Sequence, residues 1–214
     1  VEKLILKILL GISLLLSLAA CTPLDELPPS TGIDNYVSVS GAFSSKDQSK
    51  LDGTGTVRFN NVLVSNHQDI TLKAELSALN AGSYIGVNFY STSALVLPSS
   101  GIYVQFTRQG ANVIVTIAAN GTQKLVISSR STYLLPNDLN LVIQFFNAPV
   151  PRVIVWQGDS NIYGIATSII DSGLPGDLNG SLPSAPAGGV FAGLQLNFAS
   201  VTTARVGTGK VDLP

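Results

Sequence analysis

Few side chains in this chain can do covalent or acid–base chemistry, and several occur only once. Cys21 is the only thiol, His67 the only histidine and Trp156 the only tryptophan. Past residue 20 the only glutamates are Glu26 and Glu75. Retaining glycoside hydrolysis needs two carboxylates about 5 Å apart. No Glu-x-Asp-x-x-Glu pattern supplies them, and no two aspartates sit two residues apart on one strand face. His67 lies in Ser65-Asn66-His67-Gln68-Asp69, which reads as a surface turn rather than a base or a metal ligand. Gly158-Asp159-Ser160-Asn161 has the look of a hydrolase nucleophile block, but no histidine follows it. The mature chain has neither a Gly-x-Ser-x-Gly elbow nor a phosphate loop. The chain therefore reads as non-enzymatic, with no catalytic residue. Two kinds of binding chemistry remain. Asp171, Asp177 and Asn179 offer oxygen donors in one loop, and calcium, which takes six to eight oxygens, is the single cofactor they suggest. Tyr90, Tyr103 and Trp156 are the aromatic side chains placed to stack on a sugar ring.

The setting of Cys21 is specific. Lys3 and Lys7 give a positive start, and Ile8 to Ala20 is an uncharged apolar run of 13 residues. That is too short for a membrane-spanning helix, which needs about 20, and right for the helical h-region of a secretory leader. Leu18-Ala19-Ala20-Cys21 resembles the lipobox of bacterial lipoproteins. The resemblance implies a diacylglyceryl group on the Cys21 sulfur, cleavage before it, and a membrane partner reached through lipid. Thr22, in place of Asp, implies sorting to the outer membrane of a bacterial cell envelope. Two or three acyl chains anchor durably where one does not, at about 0.8 kcal/mol per buried methylene.

Composition narrows the rest. Apolar residues make up 45% and charged residues 12%, which fits a globular chain and not a disordered one. The net charge of −1, without a basic block, excludes a nucleic-acid partner. One cysteine cannot build a disulfide framework. The expected organisation is a leader over 1–20, a lipidated N-terminus and flexible linker over 21–35, and a β-sandwich over 36–214. The linker holds three prolines and a glycine, and nothing in it is expected to enter a core.

Past Tyr36 the hydrophobic period is two. Ile70, Leu72, Ala74 and Leu76 form one inward row, and so do Ile85, Val87 and Phe89; Ile102, Val104 and Phe106; Leu139, Leu141, Ile143 and Phe145; and Leu194, Leu196 and Phe198. Tyr90 and Tyr103 then fall on the wetter face. Asn120-Gly121 is a hairpin signal, since both residues tolerate positive φ. About eleven strands are expected, near 36–43, 54–65, 70–79, 84–91, 101–107, 112–118, 123–128, 138–146, 152–157, 190–199 and 201–212. Such a number in one body implies two packed antiparallel sheets or a barrel. The Gly-, Pro- and Ser-rich stretch 158–189 reads as a binding loop, with a short strand hidden near 161–170.

Three stretches carry a family likeness: Gly53-Thr54-Gly55-Thr56-Val57-Arg58-Phe59, then Asn137 to Gln144 with Pro151 to Gly158, then Gly193 to Val201. In their order they resemble the concanavalin A-like jelly roll of legume lectins, laminin G-type modules and family 16 glucanases. The resemblance implies an all-β, two-sheet antiparallel sandwich, and calcium held by loops in some members. Two functional readings follow: an anchored binding or adhesion module with a glycan partner, or a structural lipoprotein that docks an envelope protein. A glycoside hydrolase is the third reading, opposed by the missing glutamate pattern.

Overall fold

The computed structural model describes residues 32–60, 66–93, 101–110, 112–120, 122–125, 138–157, 169–173 and 181–207. The leader, Cys21, Asp177 and Asn179 lie outside them. Among the described residues the regular structure is all β. The strands are β1 (Gly32–Ile33), β2 (Tyr36–Lys46), β3 (Leu51–Phe59), β4 (His67–Leu76), β5 (Tyr84–Ser91), β6 (Ile102–Gln109), β7 (Asn112–Ala119), β8 (Thr122–Leu125), β9 (Asp138–Phe146), β10 (Arg152–Gln157), β11 (Ile170–Asp171) and β12 (Phe191–Gly207).

The period-two pattern does what it predicts. Val57, Leu194, Val87, Val104 and Ile117 stand in one cross-strand row over β3, β12, β5, β6 and β7, and all five are fully buried. Ile70, Ile143, Val155 and Ile170 form a matching buried row over β4, β9, β10 and β11. The two rows belong to two layers that share one hydrophobic cluster. Phe89 of β5 and Phe145 of β9 meet inside it, with ring centroids 6.4 Å apart. Each large side chain withdrawn in this way contributes about 1.5–3 kcal/mol.

β12 joins the layers. The expected strands near 190–199 and 201–212 are one strand of 17 residues. Phe191–Asn197 pairs with β5, and Ala199–Gly207 pairs with β4. β3 runs along the other edge of β12 past both parts, and a register shift lies between Leu196 and Ala199. Strands that pass from one sheet to another do so through such bulges.

Two further expectations change. Ile33 enters the core at 3% exposure, as β1 pairs in parallel with Thr203–Ala204. The end of the linker is thus pinned, and Asp34 secures it by accepting from the Val206 amide at 2.7 Å and from Arg205 Nε at 3.0 Å. His67 opens β4 instead of sitting in a turn, and its ring stacks on Phe146 with centroids 4.1 Å apart. Of the strand expected near 161–170, residues 161–168 lie outside the described residues, and Ile170 falls in β11.

Candidate functional site

The bulge in β12 builds an open site on the outer surface. Leu196 pairs with Gly55 and Ala199 pairs with Gly53, so Asn197 and Phe198 together face Thr54 alone. The extra residue reverses the alternation. Ala199 takes the core position, and Phe198 turns outward, 51% exposed, at φ 49°. A bulky side chain at positive φ is rare and costs about 1–2 kcal/mol. The backbone is nonetheless satisfied there: the Phe198 amide donates to Thr54 Oγ1 at 3.1 Å, and its carbonyl accepts from the Ser77 amide at 3.0 Å. On the other side of β3, Gly53 lets β2 come close. It sits at φ 134°, and a Cβ there would lie 2.5 Å from the Ala42 carbonyl oxygen.

Phe198 stands at the wall of a cleft of about 370 Å³, lined also by Ser44, Asp52, Glu75, Asn80 and Ser200. Phe198 and Ser200 share the outward face of β12, with Ala199 turned inward between them. Ser200 pairs with Asp52 of β3 on one side and with Glu75 of β4 on the other. Two carboxylates far apart in the chain therefore flank one hydroxyl. Ser44 Oγ donates to Asp52 Oδ2 at 2.8 Å, and Lys50 Nζ lies 3.9 Å from the same oxygen. Asn80 Nδ2 donates to Ser77 Oγ at 3.0 Å. The arrangement offers one aromatic face, fixed amide and hydroxyl groups, and acceptor oxygens. That set suits a polyhydroxylated ring with an apolar C–H face.

The aromatics picked from sequence lie elsewhere. Tyr90 is in the core, not on the wetter face. It is 4% exposed at φ 55°, with its ring edge-on to Phe145 at 5.2 Å. A second register shift, between Phe191 and Gly193 against β5, turns it inward. Tyr103 does face away from the core, yet it is only 5% exposed. Its ring lies across Gly86, where a Cβ would fall 1.8 Å from the Tyr103 hydroxyl, and that hydroxyl donates to Gln195 Oε1 at 2.8 Å. Burial pushes the pKa of both tyrosines up. Trp156 shares its outward face with Ile154. It is half-buried, and its indole Nε1 donates to Gln144 Oε1 at 2.7 Å.

Asp171, of the three expected calcium donors, is the one among the described residues. Arg152 Nε donates to its Oδ1 at 2.7 Å and Arg152 Nη2 to its Oδ2, while the Gly173 amide also donates to Oδ1 at 2.9 Å. This bidentate pairing raises the pKa of Arg152, the hydrogen bond to Asp171 being the chief cause. A carboxylate held by a guanidinium on both oxygens does not fit a cation. Among the described residues, no group of three or more His, Cys, Asp or Glu side chains could hold a metal ion.

No protein-family model matches the chain, and no curated protein matches it. Solved structures do. The carbohydrate binding module CBM66 from Bacillus subtilis is 14% identical, covers 81% of this chain and 95% of its own, and superposes with a TM-score of 0.51. The VIP36 exoplasmic/lumenal domain in its Ca2+/Man3GlcNAc-bound form is 10% identical, with 84% and 85% covered and a TM-score of 0.50. At such identities the likeness speaks for the fold. The fold is an all-β antiparallel jelly-roll sandwich of the concanavalin A-like kind.

Proposed function

We propose that this protein is a lipid-anchored, non-catalytic glycan-binding module of a bacterial cell envelope, held at the outer membrane through Cys21. The observation that carries the binding half is Phe198, lifted out of the sheet by a bulge into a cleft of hydroxyl, amide and carboxylate groups. Bulges re-aim side chains and are over-represented beside functional sites. Phe198 faces solvent beside Ser200, Asp52 and Glu75. An aromatic face takes the C–H side of a pyranose, and the polar rim takes its hydroxyls. Support from the fold is of a general kind: one structure of this architecture is a carbohydrate binding module and another is in a Man3GlcNAc-bound form. The anchoring half rests on Leu18-Ala19-Ala20-Cys21 and the apolar run before it.

Both halves have direct tests. The full chain in detergent, applied to a glycan array, should bind a restricted set of glycans, and Phe198→Ala should weaken that binding about five- to tenfold, the worth of re-exposing half a phenyl ring and more. Undiminished binding by Phe198→Ala would remove the site. Incubation with the bound glycan should release no new reducing ends; release would make Asp52 and Glu75 a hydrolytic pair. Labelled palmitate should enter the wild type and not Cys21→Ser.

A further inference from the structure

We infer that the cleft selects glycans by charge, favouring sugars with a free amine over neutral ones and rejecting those with carboxylate or sulfate groups. The inference rests on the glycan reading above and adds the class of ligand.

Cross-strand register supplies the first argument. Asp52, Ser200, Glu75 and Asp138 stand in one row over β3, β12, β4 and β9. At about 4.8 Å per strand, Glu75 lies about 5 Å from Asp138 and about 10 Å from Asp52. Glu75 and Asp138 are both exposed, and they are directly opposite each other in an antiparallel pair. Like charges in that position oppose folding. Among the described residues no salt bridge joins either one to a cation. The one cation in the cleft, Lys50, lies beside Asp52, at the far end of the row.

The second argument is the aromatic ring. A bare acidic row would attract any cation and give it no orientation. Here the row starts within the cleft whose wall is Phe198, a hydrocarbon face with no hydrogen-bonding group of its own. A simple ion gains nothing from that face. A pyranose does, and when its ring lies on Phe198 its substituents reach the hydroxyl of Ser200 and the carboxylates on either side. An ammonium substituent then meets an anion, an acetamido or hydroxyl group meets an acceptor, and a carboxylate or sulfate meets a like charge. Each exposed charge contact is modest, so two or three together make a preference of about five- to tenfold, and added salt should erode it. The ligand class that fits is an oligosaccharide of 2-amino-2-deoxy sugars.

The test uses the full chain in detergent and three probes: glucosamine oligomers, the same oligomers N-acetylated, and galacturonic acid oligomers. Titration calorimetry at low salt should show the amine form binding about five- to tenfold tighter than the acetylated form, with the acidic form silent. In the double variant Glu75→Gln/Asp138→Asn the amine form should lose its advantage, so that the amine and acetylated forms bind alike. Phe198→Ala should weaken both. Equal affinity for amine and acetylated forms in the wild type would overturn the charge selection and leave the glycan site standing, as would a preference that survives in the double variant. Binding of the acidic oligomer through Phe198 would do the same. Failure of every oligomer, together with an array on which Phe198→Ala changes nothing, would overturn the glycan reading and this inference with it.

Discussion

Two regions on the outside of the sandwich place polar and aromatic groups where neither belongs to the core, and they treat them in opposite ways. On the outer face of β9, β10 and β11, the groups are tied to one another. Arg152 forks onto Asp171, the Trp156 indole donates to Gln144, and Gln144 is fully buried. At the bulge of β12 they are left open. Phe198 is half exposed, and Glu75 faces Asp138 with no salt bridge to either among the described residues. The pairing is not complete, since the buried Gln144 Nε2 has no partner among the described residues, but side chains paired with one another hold the sheet and leave less for a ligand. Groups left unsatisfied at a strained position cost stability and keep their chemistry available. The contrast identifies the bulge as the place to look for function, and β9 to β11 as the place to look for stability.

That division can be broken first at Arg152. Its side chain is 42% exposed, while that of Asp171 is 6% exposed. Removing the arginine leaves a buried charge without its guanidinium, whereas removing the charge leaves an arginine that reaches water. Arg152→Ala should therefore lower unfolding stability by about 3 kcal/mol, Asp171→Asn by about 1 kcal/mol, and the double variant by less than Arg152→Ala alone. Urea midpoints at neutral pH measure all three. Equal costs for the two single variants would mean that this face is not buried in the way described.

A second effect on the same sheet is smaller and depends on pH. Asp69 faces outward on β4, where burial raises its pKa to about 6, with the Gly207 amide acting weakly in the other direction. The sign is the reverse of the usual carboxylate. Below about pH 4 the group is protonated in both folded and unfolded chains and costs nothing. Between about pH 4 and 6 the unfolded chain ionises first, and stability falls. Above about pH 6 the loss is complete, at about 1–2 kcal/mol once residual hydration is allowed for. His67, two residues along the strand, has its pKa lowered by burial and so loses stability in the opposite direction, as pH drops. The difference between wild type and Asp69→Asn isolates the carboxyl. The variant should gain about 1–2 kcal/mol at pH 7.5 and nothing at pH 4. A gain that does not change with pH would show that packing, not charge, is responsible.

How much of this was legible in the sequence depends on where the alternation is continuous. The rows through Ile85, Val87 and Phe89 and through Leu139 to Phe145 keep period two without a break, so their inward faces follow from the residues alone. Leu194, Leu196 and Phe198 read as the same pattern, and there the reading fails. A bulge inserts one residue without changing composition, and nothing in Asn197-Phe198-Ala199 announces it. Tyr90 fails for the same reason in the other direction. Asp52 and Glu75 pose a different problem. They become neighbours because β3 and β4 flank the same strand, which is a property of topology and not of local pattern. Ile33 was hidden by its company, a lone apolar residue after a run of turn formers, whose partner strand lies at the other end of the chain.

The finest test of the comparison returns to Phe198, where stability and binding should come apart. If the phenyl ring is held outward at φ 49° for the sake of a ligand, a residue that tolerates that backbone should serve the fold as well or better. Asparagine is such a residue, since its short polar side chain suits the left-handed region. Phe198→Asn keeps the amide on Thr54 and the carbonyl on Ser77, both of which belong to the backbone. It removes the strain and loses little packing, because half of the ring was already in water. Unfolding stability should therefore stay within about 0.5 kcal/mol of wild type or rise slightly, while glycan affinity falls about as far as in Phe198→Ala. A clear loss of stability would place Phe198 among the packing residues and close the gap between the two regions. Unchanged stability with lost affinity would keep them apart, one face built to be stable and the other built to bind.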